Sequence, residues 1–238
     1  GMICMEDGEF YIKDFYIKQD YTIKNGDLHY GAGFEKFHTQ LVERFRTEQK
    51  GLVLFHGTPG TGKTFYIRSL IKDLLSLGKY VIYLPPGMVD SMVDPSMINF
   101  LSSTVMEKAE DGKNCVLLLE DAEPLLVSRK TENRSTGITN LLNVTDGLLN
   151  DMLSIQVIAT FNTELYNIDE ALLRPERLIA RKEFKKLKNE DAKKLAEKLG
   201  IVAPEGKDMT LAEIYSQRKK NEILVHEYSN EKRSIGFK

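Results

Sequence analysis

The 238-residue sequence has only two cysteines, almost no net charge and no apolar run long enough to span a bilayer. Cys4 and Cys115 lie far apart without a partner pattern, which excludes a disulfide framework and favours free thiols in a reducing cytoplasm. A net charge of -2 excludes a basic footprint for nucleic acid over the whole molecule, although a local basic patch stays possible. No charged-then-apolar signal opens the chain, so we expect no membrane segment.

The most specific motif is GTPGTGKT at residues 57–64, directly after the apolar run at 52–55. It fits G-x-x-x-x-G-K-[ST], in which backbone N–H groups cradle phosphates, the lysine reaches the β and γ phosphates and the hydroxyl contacts Mg²⁺. A glycine-rich turn could match by chance. However, a buried strand precedes the motif and a helical pattern follows it, as phosphate binding at a helix N-terminus requires. The sequence therefore predicts a nucleoside triphosphate site.

The remaining apolar segments alternate between strand and helix patterns. With 42% hydrophobic and 29% charged residues, the chain can bury one sizeable core, or one large and one small. Buried strands are predicted at 52–55, 80–84, 115–121 and 154–162. Strands that alternate with helices predict an α/β fold with a mostly parallel sheet covered on both faces, whose ligands lie at the carboxyl ends of the strands.

The two ends of the chain have a different character. Residues 9–30 alternate apolar with polar side chains, which predicts short strands with a turn at Asn25–Gly26. Two patterns rich in Lys, Glu, Ala and Leu follow residue 189 and predict helices of a small α domain. From about residue 218 the sequence is basic and weakly patterned, which indicates a mobile tail rather than a ligand site.

Polar side chains close two of the predicted strands. Glu120 and Asp121 could be an ordinary solvated strand end, but downstream of a phosphate loop we expect one to hold Mg²⁺ and its neighbour to orient the attacking water. Asn162 ends the next strand, where its amide could hold that water or contact the γ-phosphate. A lone asparagine there would be an ordinary turn residue.

Two arginines, Arg174 and Arg177, flank a Pro-Glu pair in the segment 168–184. Pro175 prevents a regular helix from continuing, so we expect both guanidinium groups to be displayed near a helix end. An exposed arginine that meets a γ-phosphate stabilises transition-state charge. An isolated arginine would instead form an ordinary surface salt bridge.

In this order the motifs resemble those of the AAA family of ATPases over residues 31–215. LFHGTPGTGKT is similar to Walker A, CVLLLEDAEPLL to Walker B, ATFN to the sensor-one strand and DEALLRPERL to the arginine-finger segment. STGITNLLNVTDGLLN at 135–150, with the Glu-Asp order of Walker B, most resembles the branch containing the mitochondrial assembly ATPase of respiratory complex III.

The resemblance implies a P-loop NTPase with a doubly wound, mostly parallel sheet, a small C-terminal helical lid and, usually, a hexameric homo-oligomeric ring. In such a ring one subunit's arginine enters its neighbour's site. The expected divisions are an N-terminal lead-in of short strands at 1–30, the AAA ATPase core at 31–186, the helical lid at 187–217 and the basic tail at 218–238.

The same resemblance implies the binding residues for ATP and Mg²⁺. The phosphates would be bound by Gly57, Thr58, Pro59, Gly60, Thr61, Gly62, Lys63, Thr64 and Phe65. Mg²⁺ would be held by Thr64 and Glu120. Asp121 would orient the attacking water, and Asn162 would act as sensor one.

Further residues are implied at the subunit border and the adenine. Arg177 is the expected finger with Arg174 second, and Tyr30–Gly31 stand where the lead-in of the family usually contacts adenine. The position three after Arg177, often a second finger, is Ala180, with Arg181 one residue on.

The sequence departs from the family pattern in three more ways. The Glu120–Asp121 order shortens the water-orienting side chain, which predicts slower hydrolysis. The segment PPGMVDSMVDPSM lacks an aromatic-glycine element, so standard substrate threading is not expected. The transmembrane anchor of the complex III assembly ATPase is absent, so membrane translocation is not expected.

The leading hypothesis is a cytoplasmic ATP hydrolase that remodels a protein partner as a ring. A P-loop kinase would share Walker A but has no need of the paired acids, the strand-end asparagine and the arginine segment. A nucleic-acid-associated loader or helicase subunit shares most of the core, and the basic tail from Arg218 leaves room for it. A nucleotide-binding switch with little hydrolysis is the last alternative, because the inverted acids could leave ATP bound.

Overall fold

The computed structural model describes residues 1–16, 21–123, 154–162, 173–201 and 206–220. The motif at 135–150 and most of the predicted basic tail lie outside these residues. None of the described helices is long and apolar enough to cross a membrane.

Seven strands of the described chain form one sheet in the order β2-β1-β4-β5-β6-β3-β7. Their bounds are Met2–Glu6 (β1), Glu9–Lys13 (β2), Gly51–His56 (β3), Tyr80–Leu84 (β4), Cys115–Leu119 (β5), Gln156–Phe161 (β6) and Leu178–Glu183 (β7). All neighbouring pairs are parallel except β1 and β2, which form an antiparallel hairpin. The predicted α/β fold with a mostly parallel sheet is confirmed.

The sequences of the central strands are nearly continuous apolar runs, because both faces of the sheet are covered. Every residue of β3, β5 and β6 is buried. Successive side chains of β3 alternate between two clusters: Leu52 and Leu54 belong to one, and Val53 and Phe55 to the other. The core therefore lies in two layers, one on each face of the sheet.

Helices cover both faces. Within the described ranges the α-helices are Gly26–Tyr30 (α1), Phe34–Thr47 (α2), Lys63–Ser76 (α3), Pro95–Glu110 (α4), Asn189–Lys198 (α5) and Leu211–Lys220 (α6). Helices α2 and α3 pack on one face through residues that include Phe45 and Leu70, and α4 packs on the other through Met97 and Leu101. A 3₁₀ helix at Pro86–Val93 precedes α4 and buries Val89 in the second layer.

The N-terminal prediction was partly wrong. Strand β2 falls within the predicted region, but Asn25–Gly26 begins helix α1 instead of turning between strands. Asn25 has a left-handed φ of 60°, a conformation that asparagine adopts more readily than most residues. This conformation is common in turns, but here it precedes a helix. The turn of the hairpin is at Asp7 and Gly8, which both have positive φ, and β1 extends the sheet by pairing with β4.

Helices α5 and α6 form a third apolar cluster apart from the sheet layers. Leu187, Leu195 and Ile214 are among its buried members, and Leu28 of α1 packs against it. The backbones of Leu187 and Met209 pair in an isolated antiparallel bridge before each helix. Helix α6 extends to Lys220, so the first residues of the predicted tail are helical.

Candidate functional site

The phosphate-loop motif lies between the carboxyl end of β3 and the start of α3. Gly57, Gly60 and Gly62 all have positive φ, at 132°, 80° and 93°. A Cβ at Gly57 would overlap the carbonyl oxygen of Phe184, so glycine lets the loop pass against the end of β7. No described side chain caps α3, and its first turn has no acidic residue. The unpaired N–H groups of this helix terminus suit a phosphate.

Lys63 is folded back into the loop that precedes it. Its ammonium donates hydrogen bonds to the carbonyl oxygens of Gly57 and Thr58, at 2.7 and 3.1 Å, and the residue is only 6% exposed. Burial lowers the pKa of Lys63, and the carboxylates of Asp121 and Glu123 oppose that shift. The cation of the loop and the acids after β5 therefore belong to one electrostatic cluster.

Glu120 and Asp121 form an excursion from the ladder between β5 and β6. Leu119 pairs with Ala159, and the next backbone bond to β6 comes from Ala122, whose N–H donates to the carbonyl of Thr160. The N–H of Asp121 donates to the hydroxyl of Thr160 at 3.0 Å, and Asp121 has a left-handed φ of 50°. Aspartate tolerates this conformation better than most residues.

Asn162 donates hydrogen bonds to two acids, Asp121 and Glu123, which the sequence did not predict. Its side-chain amide donates to a carboxylate oxygen of Asp121 at 2.6 Å, which brings these two predicted residues together. Its backbone N–H donates to the carboxylate of Glu123. Glu123 was missed from the sequence, where the only available signal was a third acid two positions after Asp121.

Glu120 interacts with Tyr83 of the neighbouring strand β4. The phenol of Tyr83 interacts electrostatically with the Glu120 carboxylate, and burial, together with that carboxylate, raises the pKa of Tyr83 to about 12. The Oε1 atom of Glu120 is buried and has no hydrogen-bond partner within the described part of the chain. A buried carboxylate oxygen without a donor fits a cation ligand, so the residues present suit Mg²⁺.

The lead-in and helix α6 both contact the phosphate loop. The hydroxyl of Tyr30 donates to the carbonyl of Gly62 at 3.3 Å, and the N–H of Ala212 donates to the carbonyl of Gly60 at 3.0 Å. Burial raises the pKa of Tyr30 far above its ordinary value, so this phenol stays neutral. Gly31, at the predicted adenine position, has a φ of 90°.

Beside these contacts lies a pocket of about 350 Å³ that the sequence did not predict. Its described lining residues are Tyr30, His56, Arg181, Lys182, Glu183 and Lys185. The volume is within the range of small-molecule pockets.

The two predicted finger arginines lie far from the phosphate loop of their own chain. Arg177 precedes β7, and its carbonyl accepts a hydrogen bond from the N–H of Leu52 at the start of β3. The loop leaves β3 at the other end, roughly 16 Å away at the usual rise per strand residue. Arg174 is exposed and Arg177 half-buried at this opposite edge.

Comparison with known proteins places this arrangement in one family. Residues 53–186, more than half of the chain, match the model of the ATPase family associated with various cellular activities (AAA). The chain is 31% identical over 164 residues to the peroxisomal ATPase PEX6 of Candida glabrata, covering 66% of this chain and 14% of that protein.

Two further relatives have different names. A Bifidobacterium adolescentis protein, named an AAA ATPase forming ring-shaped complexes, is 28% identical over 59% of this chain and 29% of its own length. The ribosome biogenesis ATPase RIX7 of Saccharomyces cerevisiae is 30% identical over 58% of this chain and 16% of its own length. The chain thus spans less than a third of each of these relatives.

Proposed function

The chain belongs to the AAA family of ATPases, and we propose that it couples ATP hydrolysis to the remodelling of a protein partner as a homo-oligomeric ring. Family membership and the ATPase names of its relatives support ATP hydrolase activity. The observation that carries the proposal is that the phosphate loop after β3 and the Asp121–Asn162 pair at the end of β6 lie at one edge of the sheet, while Arg177 lies at the opposite edge. Each chain would hold the parts of one site except the arginine.

In the proposed site the loop from Gly57 to Phe65 binds the phosphates of ATP. Lys63 would exchange the carbonyls of Gly57 and Thr58 for phosphate oxygens, which are stronger partners for an ammonium. Thr64, exposed in the first turn of α3, and Glu120 would hold Mg²⁺. When bound, Mg²⁺ neutralises charge on the β and γ phosphates. Asp121 and Asn162 would orient the attacking water.

Arg177, with Arg174 as the second candidate, would complete the site of a neighbouring subunit. A finger supplied from a partner contributes roughly 10³ to 10⁵ in turnover in GTPase precedents. A hexamer is the proposed ring size. One relative is named as forming ring-shaped complexes, which supports a ring but gives no number.

The protein partner is proposed only as a class. Peroxisomal and ribosome-biogenesis ATPases are among the relatives, so the names point to more than one process. The finer proposal, the branch of the complex III assembly ATPase, rests on the motif at 135–150 and the Glu-Asp order. None of the three relatives described above has that name. A cytoplasmic location is proposed from the free thiols of Cys4 and Cys115.

The test is ATP turnover per subunit, measured over a range of protein concentrations with sizing of each sample. Turnover should rise as rings assemble, and Arg177→Ala should abolish that rise with little change in ATP affinity. Arg46→Ala, which removes an exposed arginine paired with Glu43 on α2, is the matched control and should behave as the parent. Mixing Arg177→Ala with Lys63→Ala subunits should restore part of the activity, because each supplies what the other lacks.

Constant turnover down to concentrations where only monomers are present would show that the ring proposal is wrong. A nucleotide-binding switch is the second candidate function, favoured by the engagement of the short Asp121 carboxylate with Asn162. It predicts ATP binding without turnover at every concentration. Phosphate transfer to an added acceptor would instead indicate a kinase, and salt-sensitive stimulation by DNA or RNA a nucleic-acid partner.

A further inference from the structure

Asn162 donates hydrogen bonds to two carboxylates, and only one of these two acids belongs to the proposed catalytic site. Asp121 accepts from the side-chain amide of Asn162, and Glu123 accepts from its backbone N–H. Both carboxylates also act on the pKa of Lys63. Glu123 therefore lies beside the residue expected to sense the γ-phosphate.

Asp121 alone is poorly suited to reach a water in front of that phosphate. Its side chain is one methylene shorter than the glutamate usual at this position in the family. Its backbone is held by Thr160 in the left-handed region, and the oxygen that Asn162 contacts is occupied at 2.6 Å. Each of the two acids thus has one oxygen engaged by Asn162, and Asp121 has the shorter side chain.

Glu123 has a side chain one methylene longer than that of Asp121. The preceding residue, Ala122, is fully buried and is fixed to β6 by its bond to the carbonyl of Thr160. The chain therefore leaves the sheet edge from a rigid point, and the longer side chain of Glu123 returns to the end of β6 at Asn162. A carboxylate that a backbone N–H holds at the end of a strand is a suitable group to orient a water.

We propose that Glu123 is a second catalytic carboxylate, which holds the attacking water together with Asp121. The inference rests on the proposed ATPase function. The water oxygen forms a bond to the γ-phosphorus, and the bond from that phosphorus to the bridging oxygen breaks. ADP leaves with the electron pair, and the water proton passes to the Glu123 carboxylate, which later releases it to solvent.

The test compares Glu123→Gln with Glu123→Ala, because glutamine keeps an acceptor for the N–H of Asn162 and loses only the charge. Both variants should lose about 10² to 10⁴ in turnover, the usual contribution of a positioned acid or base. Binding of fluorescent ATP should change little. Protein re-isolated after incubation with ATP should contain ATP where the parent contains ADP. Glu110→Gln, an exposed change on α4, is the matched control and should behave as the parent.

The alternatives give different patterns. Parental turnover in Glu123→Gln with loss in Glu123→Ala would reduce Glu123 to a structural contact and overturn the proposal. Parental turnover in both would overturn it as well. If Asp121→Asn abolishes turnover while Glu123→Gln does not, the ATPase function stands and Asp121 orients the water alone.

Discussion

At Gly57 the phosphate loop passes against the backbone of Phe184, the residue directly after β7. An alanine at this position tests how firmly the loop is held. An added Cβ would overlap the carbonyl oxygen of Phe184 and lie 3.0 Å from its carbonyl carbon. That backbone cannot retreat easily, because the N–H of Phe184 donates to the carbonyl of His56 at 2.8 Å and its side chain is buried. Gly78, after α3, also has positive φ but has open space at its Cβ position.

Gly78→Ala is therefore the control that carries backbone strain without crowding. Holding alanine at a positive φ costs about 1–3 kcal/mol, and Gly57→Ala carries at least as much of this strain as Gly78→Ala, because 132° lies further from the left-handed region than 75°. Crowding in a packed region adds about 1–3 kcal/mol, which applies only to Gly57→Ala. For a chain of this length each kcal/mol lowers Tm by roughly 2–4 °C, so Gly57→Ala should melt roughly 2–12 °C below Gly78→Ala.

The assay is thermal unfolding followed by circular dichroism without nucleotide, with ATP binding measured on the same samples. Gly57→Ala should also weaken ATP binding, because the loop must separate from β7 to admit the methyl group. Gly78→Ala should bind ATP as the parent does. Equal melting temperatures for the two variants would refute the close packing of the loop on Phe184.

Two other predictions concern side chains around the site and the core. Tyr83→Phe removes the hydroxyl that interacts with Glu120 and should raise the Mg²⁺ concentration for half-maximal turnover about tenfold, because groups next to a metal ligand tune its affinity, without changing Mg²⁺-free nucleotide affinity. An unchanged Mg²⁺ requirement would contradict it. Burial raises the pKa of the Cys115 thiol to about 11, so a thiol reagent at pH 8 should label only Cys4 in the native protein. Native labelling of a Cys4→Ser variant would count against that burial.

Features specified by local sequence were predictable. The phosphate loop combines a glycine spacing, a preceding apolar run and a following helical pattern, and the structure has all three elements at the expected residues. The strand that ends at Leu119 was predictable because an unbroken apolar run is followed by two acids. Asn25 shows the limit of local signals, since its left-handed preference serves a helix start as well as a hairpin.

Contacts between strands could not be predicted, because they depend on register and on backbone excursions. The interaction of Tyr83 with Glu120 requires β4 beside β5, and nothing in either segment specifies that neighbour. Glu123 meets Asn162 only because Ala122 rejoins β6 after the excursion. A sequence pattern can therefore identify the acids, but it cannot say which of them hydrogen-bond to the same residue.

The parallel pairing of β3 and β7 has a consequence for assembly. Leu52 pairs with Leu178 and His56 with Glu183, so the segment that enters β7 and the loop that leaves β3 lie at opposite edges in every copy of the chain. If Arg177 acts on a neighbour, contacts are head-to-tail, and an open row of subunits always leaves one terminal site without an arginine. A head-to-tail contact that closes into a ring removes that defect. On the proposed mechanism, closure is therefore the step at which every site in the assembly becomes complete.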